Sequence, residues 1–392
     1  MKVLLIITDY GSFNNFLSEV AIHLVAAGHE VHVISSLVKV INCNDKYPYT
    51  DLGISFHYFD FPRSFNFFSQ IKASKKINHQ ITKINPDLIN IHFTTAIFTT
   101  VIWRKPAFFT IGTIHGLGYP LVKGKLKKKI FEVVEKFCFK NLDQIYLINN
   151  FDYNLVKMKF PEKTFIYNSF GVGCDLLKFD PFAIPEDFRS NFRDSLSIDK
   201  DDFVLAFTGR FVSFKGFDIL IKAVNYLEKE CNYRNIKLLL IGGEDPVHGN
   251  GLDKQQEKLY KDNSNIIQVG FTADVNLYLA ISDLFVFPSQ KEGMPVCIME
   301  ALSMGVPVVT SNSRGCNDLV QDNFNGLLLS DRPTVSEVSE AILKLYFNRS
   351  LLKALSLNAL SGRNKFSRTT YVEDQIEIYK DVAKEDSFKY AS

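Results

Sequence analysis

The sequence has almost no excess of charge of either sign. Its 45 Lys and Arg against 43 Asp and Glu leave a net charge of +2, which excludes a dedicated nucleic-acid binder, since that class carries a strong basic excess. Cysteine is scarce and scattered: Cys43, Cys138, Cys174, Cys231, Cys297 and Cys316 form no C-x-x-C pair and no His/Cys spacing suited to zinc. The pattern argues against a disulfide framework and fits reduced thiols used as small buried hydrophobes. Long apolar runs are missing as well. The run that opens the chain ends at Asp9 and Gly11, and is expected to be a buried strand rather than a signal peptide. The stretch from Ile89 to Trp103 is broken by Asn90, His92 and four threonines, short of the roughly 18 apolar residues of a spanning helix. The expectation is a soluble protein, attached at most to a membrane surface. Repeats, low-complexity tracts, an Asp-x-Asp metal motif and a G-x-G-x-x-G loop after the first strand are absent too, and the last absence counts against a dinucleotide-dependent oxidoreductase.

What is present is a core-forming composition, 46% apolar and 22% charged, over 392 residues, a length that suits two domains. "KVLLII", then the helical pattern "NNFLSEVAIHLVAAGHE" ending at Gly28, then "VHVISS" reads as the strand–helix–strand opening of a doubly wound sheet. Strands follow at "ISFHYFDF", "DLINIHF", "FTIGTIH" and "QIYLIN", with helices over 68–84 and 126–140. From Asp201 the rhythm restarts with "DFVLAFTG", "GFDILIKAVNYLEKE", "KLLLIGG", "NIIQVG", "LFVFPS", "CIMEALSMG" and "PVVTSN". The expected architecture is α/β: two Rossmann-like doubly wound domains facing a cleft. The first spans 1–173, joined by a C-terminal helix over about 369–392, and the second spans 174–368. A polar, proline-bearing stretch from about Cys174 to Lys200 separates the two α/β units. Ligands of open α/β sheets bind beyond the carboxyl ends of the strands, so the chemistry is sought there.

Arg210 and Lys215 follow "LAFTG" in an expected strand-to-helix loop, where two cations and free backbone N–H groups suit an anion. Taken alone, loop cations are most often just solvated. Gly242-Gly243 after "KLLLI" allows close backbone approach, or a tight turn without a ligand. The most informative stretch is "KEGMPVCIMEALSMG", Lys291 to Gly305. It is nearly all apolar or small, yet it holds Glu292 and Glu300. Pro295 suits the first turn of a helix, and no Ser, Thr, Asp or Asn stands beside that start to cap it. The N–H groups of Gly293, Met294, Val296 and Cys297 are then open to an anion or a sugar hydroxyl. Glu300 lies about one and a half turns further on. The plain alternative is a helix with one solvent-facing glutamate, but its apolar neighbours leave little polar face for that.

"GRFVSFKG", "FPSQKEGMPVCIMEALSMGVPVV" and "RGCNDLVQDNFNGLLL" together resemble the GT-B glycosyltransferases of family 4. Glu292 and Glu300 match that family's E-x7-E motif, and "NSFGVGCDLLKFDP" is similar to its interdomain connection. The resemblance is dense over about 165–330 and thin before it. It points to bacterial enzymes of capsule, O-antigen and lipopolysaccharide synthesis. It implies a retaining, metal-independent transfer of a HexNAc or hexose from a UDP-sugar to a polyprenyl-diphosphate-linked saccharide, on the inner face of the cytoplasmic membrane of a bacterium. It implies that Arg210 and Lys215 bind the donor diphosphate, with the backbone of Gly209 and Gly243 nearby, and that Glu300 holds the ribose. Glu292 and the Gly293, Met294, Pro295 and Val296 backbone would meet the donor sugar. Gly11 and Ser12, in the first strand-to-helix loop, would approach the phosphate, although "TDYGSFNN" has fewer glycines than the family form. His115 in "TIHGLG" matches the family's histidine near the reacting sugar, and Phe271-Thr272 would flank the base. No cofactor beyond the donor is implied.

The acceptor side is marked by Lys123, Lys125, Lys127, Lys128 and Lys129, just before an apolar-faced helix bearing Phe131, Phe137 and Phe139. Such a cluster suits an anionic membrane surface or simply a solvated helix entry. "FPRSFNFF" would add an apolar edge. The rival readings are a non-catalytic sugar-nucleotide-binding partner, and a transferase of the same fold using a GDP- or ADP-sugar and a soluble acceptor.

Overall fold

A computed structural model describes residues 1–37, 49–62, 66–122, 124–245 and 248–389, with side chains to 382. The chain divides into two compact units, Met1–Val172 with Thr369–Ser392, and Gly173–Arg368.

The first unit is built on strands β1 (Lys2–Ile6), β2 (Glu30–Ser35), β3 (Ile54–Tyr58), β4 (Leu88–His92), β5 (Phe109–Ile114), β6 (Gln144–Leu147) and β7 (Thr164–Ile166). They form a parallel sheet in the order β3-β2-β1-β4-β5-β6-β7. The order reverses direction between β1 and β4, which is the switch point of a doubly wound sheet. Central strands covered on both faces should be continuously apolar, and β1 buries Val3, Leu4, Leu5 and Ile6 completely. The helices Phe67–Ile84 and Lys125–Lys140 agree with their expected spans to within a residue.

The first helical stretch differs from expectation. It starts earlier and is split into helices Tyr10–Phe16 and Ser18–Ala26. Asp9 is the reason for the early start: its carboxylate accepts the Ser12 N–H at 2.9 Å and caps the first turn. The last helix, Arg368–Lys389, joins the same unit through buried polar bonds. Asn90 Nδ2 donates to Tyr379 Oη at 2.6 Å and to Gln375 Oε1 at 3.2 Å, and Asp374 accepts the Ser169 N–H at 2.6 Å.

The second unit carries β8 (Phe203–Phe211), β9 (Ile236–Glu244), β10 (Ile266–Gly270), β11 (Leu284–Phe287), β12 (Val308–Ser311) and β13 (Gly326–Leu329). They form a second parallel sheet in the order β10-β9-β8-β11-β12-β13. Its switch point lies between β8 and β11, so the loops after these strands are the natural ligand positions. The stretch 174–200 is part of this unit and contains the helix Glu186–Ser195. Arg189 and Arg193 fasten that helix by donating to the carbonyls of Ala280 and Ile281 at 3.2 and 3.1 Å.

Candidate functional site

In the second unit the candidate residues gather at the carboxyl ends of β8, β9 and β11. Arg210 is not in a loop: β8 runs two residues further than expected, pairing Gly209 with Gly242 and Arg210 with Gly243. Gly242 is therefore a strand residue whose missing side chain has a packing reason. A Cβ there would lie 1.9 Å from the Gly209 carbonyl oxygen, whereas one on Gly243 would meet nothing within 4 Å. The open backbone is thus at Gly243, and Gly242 serves strand pairing. Lys215 ends a 3-10 turn, Ser213–Lys215, and Gly216 (φ 75°) follows it. Only glycine fits at 216, because a Cβ would come within 2.4 Å of the Pro288 carbonyl oxygen.

Lys215 and Glu292 form an ion pair, Nζ to Oε1 at 2.8 Å, with side chains only 17% and 11% exposed. Ser289 Oγ, on a fully buried residue, donates to the same Oε1 at 2.8 Å. Arg314 Nε donates to the Glu292 carbonyl at 2.7 Å, and Ser313 Oγ donates to the Ser289 carbonyl at 2.8 Å. The Phe214 carbonyl accepts the Gln290 N–H at 2.9 Å. Three loops are thus knitted around one carboxylate. Burial by itself would lower the Lys215 pKa, but the Glu292 carboxylate outweighs it and the net shift is upward, so the ammonium stays charged. Arg210 is half exposed, lies over the Phe214 ring and pairs with Asp245.

The helix Val296–Ser303 starts after Pro295 with no side-chain cap, as its sequence implies. The helix Phe217–Lys229 likewise starts after Gly216 without one. Glu300 lies within the first of these. Burial raises its carboxyl pKa to about 7, against the opposing pull of Arg368 and Lys178. Phe271 is 94% exposed, and Thr272 Oγ1 accepts the Asp274 N–H at 3.0 Å.

In the first unit, Gly11 and Ser12 lie in the first turn of the helix Tyr10–Phe16 rather than in a loop. Ser12 already gives both its N–H and its hydroxyl to Asp9, at 2.9 and 3.0 Å. An anion at this helix start would have to displace a carboxylate. His115 follows β5, packed between the rings of Phe93 (centroids 4.5 Å) and Phe16 (4.8 Å). Its Nε2 is 3.0 Å from Nδ1 of the fully buried His92. Phe93 has φ 71° and ψ 140°, a conformation that costs a bulky L-residue about 1–3 kcal/mol and is found most often at functional sites. Burial brings the His115 pKa down to about 3, so the ring is neutral at working pH.

On the helix Lys125–Lys140, the lysines at 125, 127, 128 and 129 are exposed. Lys123 lies outside the described residues, as do Arg63, Ser64 and Phe65 of "FPRSFNFF". The apolar residues facing outward differ from expectation: Phe139 is buried and Phe131 partly so, whereas Leu126, Ile130, Val133 and Phe137 are 76, 46, 58 and 38% exposed. Their spacing of four, three and four residues places them on one face. Among the described residues no helix is long and apolar enough to cross a membrane, and no three His, Cys, Asp or Glu side chains are placed to hold a metal ion.

Sequence reasoning overlooked Asp9, Asp245, Ser289, Arg314 and His92. Ser289 stands three residues before Glu292, and His92 ends a strand, and these were the available signals.

Comparison with known proteins fits this geometry. Residues 188–361 match the family described as Glycosyl transferases group 1, and residues 2–149 match Glycosyl transferase 4-like. The chain is 23% identical over 346 residues to the UDP-Gal:alpha-D-GlcNAc-diphosphoundecaprenol alpha-1,3-galactosyltransferase of Escherichia coli, covering 87% of each chain. It is 25% identical over 372 residues to the capsular polysaccharide biosynthesis glycosyltransferase CapM of Staphylococcus aureus, covering 92% of each. Among solved structures, Anabaena Alr3699/HepE in complex with UDP superposes with a TM-score of 0.78 at 16% identity, over 97% of this chain and all of that one. The fold is that of the GT-B glycosyltransferases.

Proposed function

Because this chain belongs to the group 1 and 4-like glycosyltransferases, we propose that it moves a HexNAc or hexose from a UDP-sugar to a polyprenyl-diphosphate-linked saccharide, with retention and without a bound metal, in capsule or O-antigen synthesis on the cytoplasmic face of a bacterial membrane. The observation that carries the donor assignment is the Lys215–Glu292 pair at 2.8 Å, set after β8 and β11 next to the uncapped helix Val296–Ser303. The relatives' names support the substrate classes: one uses UDP-Gal and a diphosphoundecaprenol-linked acceptor, and another serves capsular polysaccharide synthesis.

When a sugar leaves a nucleoside diphosphate, negative charge grows on the diphosphate and positive character on the sugar carbon. Fixed cations and N–H dipoles placed where that charge grows are the main catalytic device. Arg210 and Lys215 supply the positive charge, with the N–H groups of Gly293, Met294, Val296 and Cys297 and the backbone at Gly209 and Gly243 beside them. Glu300 accepts the ribose hydroxyls, Phe271 and Thr272 flank the base, and His115 meets the transferred sugar. Gly11 and Ser12 approach the phosphate once Asp9 releases the helix start. Glu292 binds sugar hydroxyls rather than attacking carbon. Lys215 and Ser289 both engage its Oε1, which leaves Oε2 for a hydroxyl. The leaving phosphate then takes the acceptor's proton on the same face of the sugar, which preserves configuration.

A thermal-shift panel in EDTA with UDP, GDP, ADP, CMP and NAD tests the donor site. A ligand at 100 times its Kd adds about 2.7 kcal/mol of stability. Stabilisation by UDP, lost in Arg210→Ala and Glu300→Ala, is the expected result. A response to NAD alone, or to none of the five, rejects the assignment. The lysines at 123, 125, 127, 128 and 129 face anionic lipid in this reading, and the exposed apolar stripe beside the described four supports it.

A further inference from the structure

We infer that His92 is a positioning residue for His115, fixing which imidazole nitrogen His115 presents to the transferred sugar. The inference rests on the reading of His115 as the residue that meets that sugar.

His115 is constrained on nearly every side. Phe93 and Phe16 pack on its ring at 4.5 and 4.8 Å, and its Nε2 is held by His92 Nδ1 at 3.0 Å. That leaves Nδ1, a buried atom with no hydrogen-bond partner among the described residues. Buried polar atoms are nearly always partnered, and an orphan of this kind calls for a functional explanation. His92 has no freedom to serve the sugar directly. It is the last residue of β4, paired in register with Thr113 of β5, and it is fully buried. The next residue, Phe93, takes its left-handed conformation with its N–H bound to the Thr113 carbonyl at 3.0 Å. Strand pairing therefore fixes where the His92 ring leaves the sheet, and Phe93 turns the chain into the helix Thr94–Val101.

Proton bookkeeping defines what His92 controls. Burial lowers both imidazole pKa values, so two neutral rings share two N–H protons. One proton lies in the bridge between His92 Nδ1 and His115 Nε2. If His92 donates it, His115 carries its own proton on Nδ1 and offers a donor to a sugar oxygen. If His115 donates it, Nδ1 is bare and offers an acceptor to a sugar hydroxyl, and His92 carries its proton on Nε2, the second orphan of the pair. Either way Nδ1 is the nitrogen that His92 does not engage, and its polarity is coupled to the His92 tautomer. Without His92, the free nitrogen and the ring angle are both unspecified.

The test compares His92→Phe, which keeps a ring but removes the hydrogen bond, with His92→Asn, whose amide restores a polar atom near the lost Nδ1. In ring-15N-labelled protein, the His115 resonances of the wild type should show one defined tautomer. They should lose that pattern in His92→Phe and regain it in His92→Asn. Turnover of UDP-sugar should fall about 100-fold in His92→Phe, the scale of a small misplacement at a reacting centre, and recover to within about tenfold in His92→Asn. The thermal shift on adding UDP should stay unchanged in both variants. Unaltered His115 resonances in His92→Phe overturn the inference, whatever happens to turnover. So does an equal turnover loss in both variants with the His115 pattern intact, which marks a packing role only. Absence of turnover in the wild type for every donor would count against the functional reading, and the resonance comparison would still decide the role of His92.

Discussion

Lys215 Nζ lies 2.8 Å from Glu292 Oε1, across the carboxyl ends of two neighbouring strands and largely out of water. Removing one partner leaves the other as a buried charge without compensation, which is costly. Lys215→Ala should lower stability by about 2–4 kcal/mol in urea unfolding, and Lys215→Met with Glu292→Gln should recover part of that. Turnover separates structure from function: both variants should lose about 10²–10³-fold in kcat, because the cation proposed for the leaving diphosphate is gone in each. A double variant that regains turnover together with stability would make the pair purely structural.

Arg210 gives the opposite balance. Its side chain is half exposed, and its largely buried partner Asp245 also accepts the His248 N–H at 2.9 Å, so losing Arg210 does not leave that carboxylate without a partner. Arg210→Ala should shift the free energy of unfolding by less than about 0.5 kcal/mol. It should weaken UDP binding by about 10–100-fold, the loss expected when a hydrogen bond to a charged group worth about 1.5–3 kcal/mol is removed. Urea unfolding checks the first statement, and calorimetric titration with UDP checks the second. A large loss of stability with UDP affinity unchanged would move Arg210 from ligand binding to folding.

Glu300 links the site to pH. Its folded pKa is raised to about 7 by burial, above the ordinary carboxyl value near 4.3. Between these values the folded state holds more protons than the unfolded one, so this group makes the protein less stable as pH rises from about 4.3 to 7, and the loss is complete above 7. The ribose binding proposed for Glu300 runs the other way. A carboxylate accepts two hydroxyls where a carboxylic acid gives up an acceptor position, so UDP affinity should increase from pH 6 to pH 8. Glu300→Gln should flatten both trends and be the more stable protein at pH 8. An unchanged pH dependence of UDP affinity in Glu300→Gln would remove this residue from the ribose.

The two sheets were legible because their strands are short apolar runs at regular spacing, and because residues such as Gly11 and Gly28 punctuate them. β7, only three residues long, and β13, which opens on a glycine, were not read as strands. Strand ends were the weak point. Arg210 and Gly242-Gly243 look like turn residues by composition, yet β8 and β9 continue through them because Gly209 and Gly242 let the two backbones approach. The uncapped helix after Pro295 was visible as the absence of a capping residue. The cap by Asp9 was missed because "TDYG" reads as a turn until the Ser12 N–H is seen to need an acceptor. His92 was hidden among the residues that interrupt an apolar stretch. A hydrogen bond between positions 23 apart follows from the register of β4 and β5, which periodicity does not reveal.

The helix Lys125–Lys140 presents a face that a protein of water alone has little reason to keep. Leu126, Ile130, Val133 and Phe137 are exposed together on it, with the lysines at 125, 127, 128 and 129 beside them. Apolar stripe and cations make separable contributions to binding a bilayer. Replacing Lys125, Lys127, Lys128 and Lys129 with glutamine should abolish the preference for vesicles of phosphatidylglycerol over phosphatidylcholine, since each lysine near an anionic surface is worth about 1 kcal/mol. It should also leave a weak, salt-insensitive binding. Replacing Leu126, Ile130 and Val133 with serine should keep the preference but make binding fully reversible by salt, because only screened charge remains. Cosedimentation of the full chain with both vesicle types at two ionic strengths distinguishes these outcomes. Equal recovery of wild type and both variants in the supernatant would leave the lysines as a solvated helix entry and send the acceptor question back to soluble saccharides.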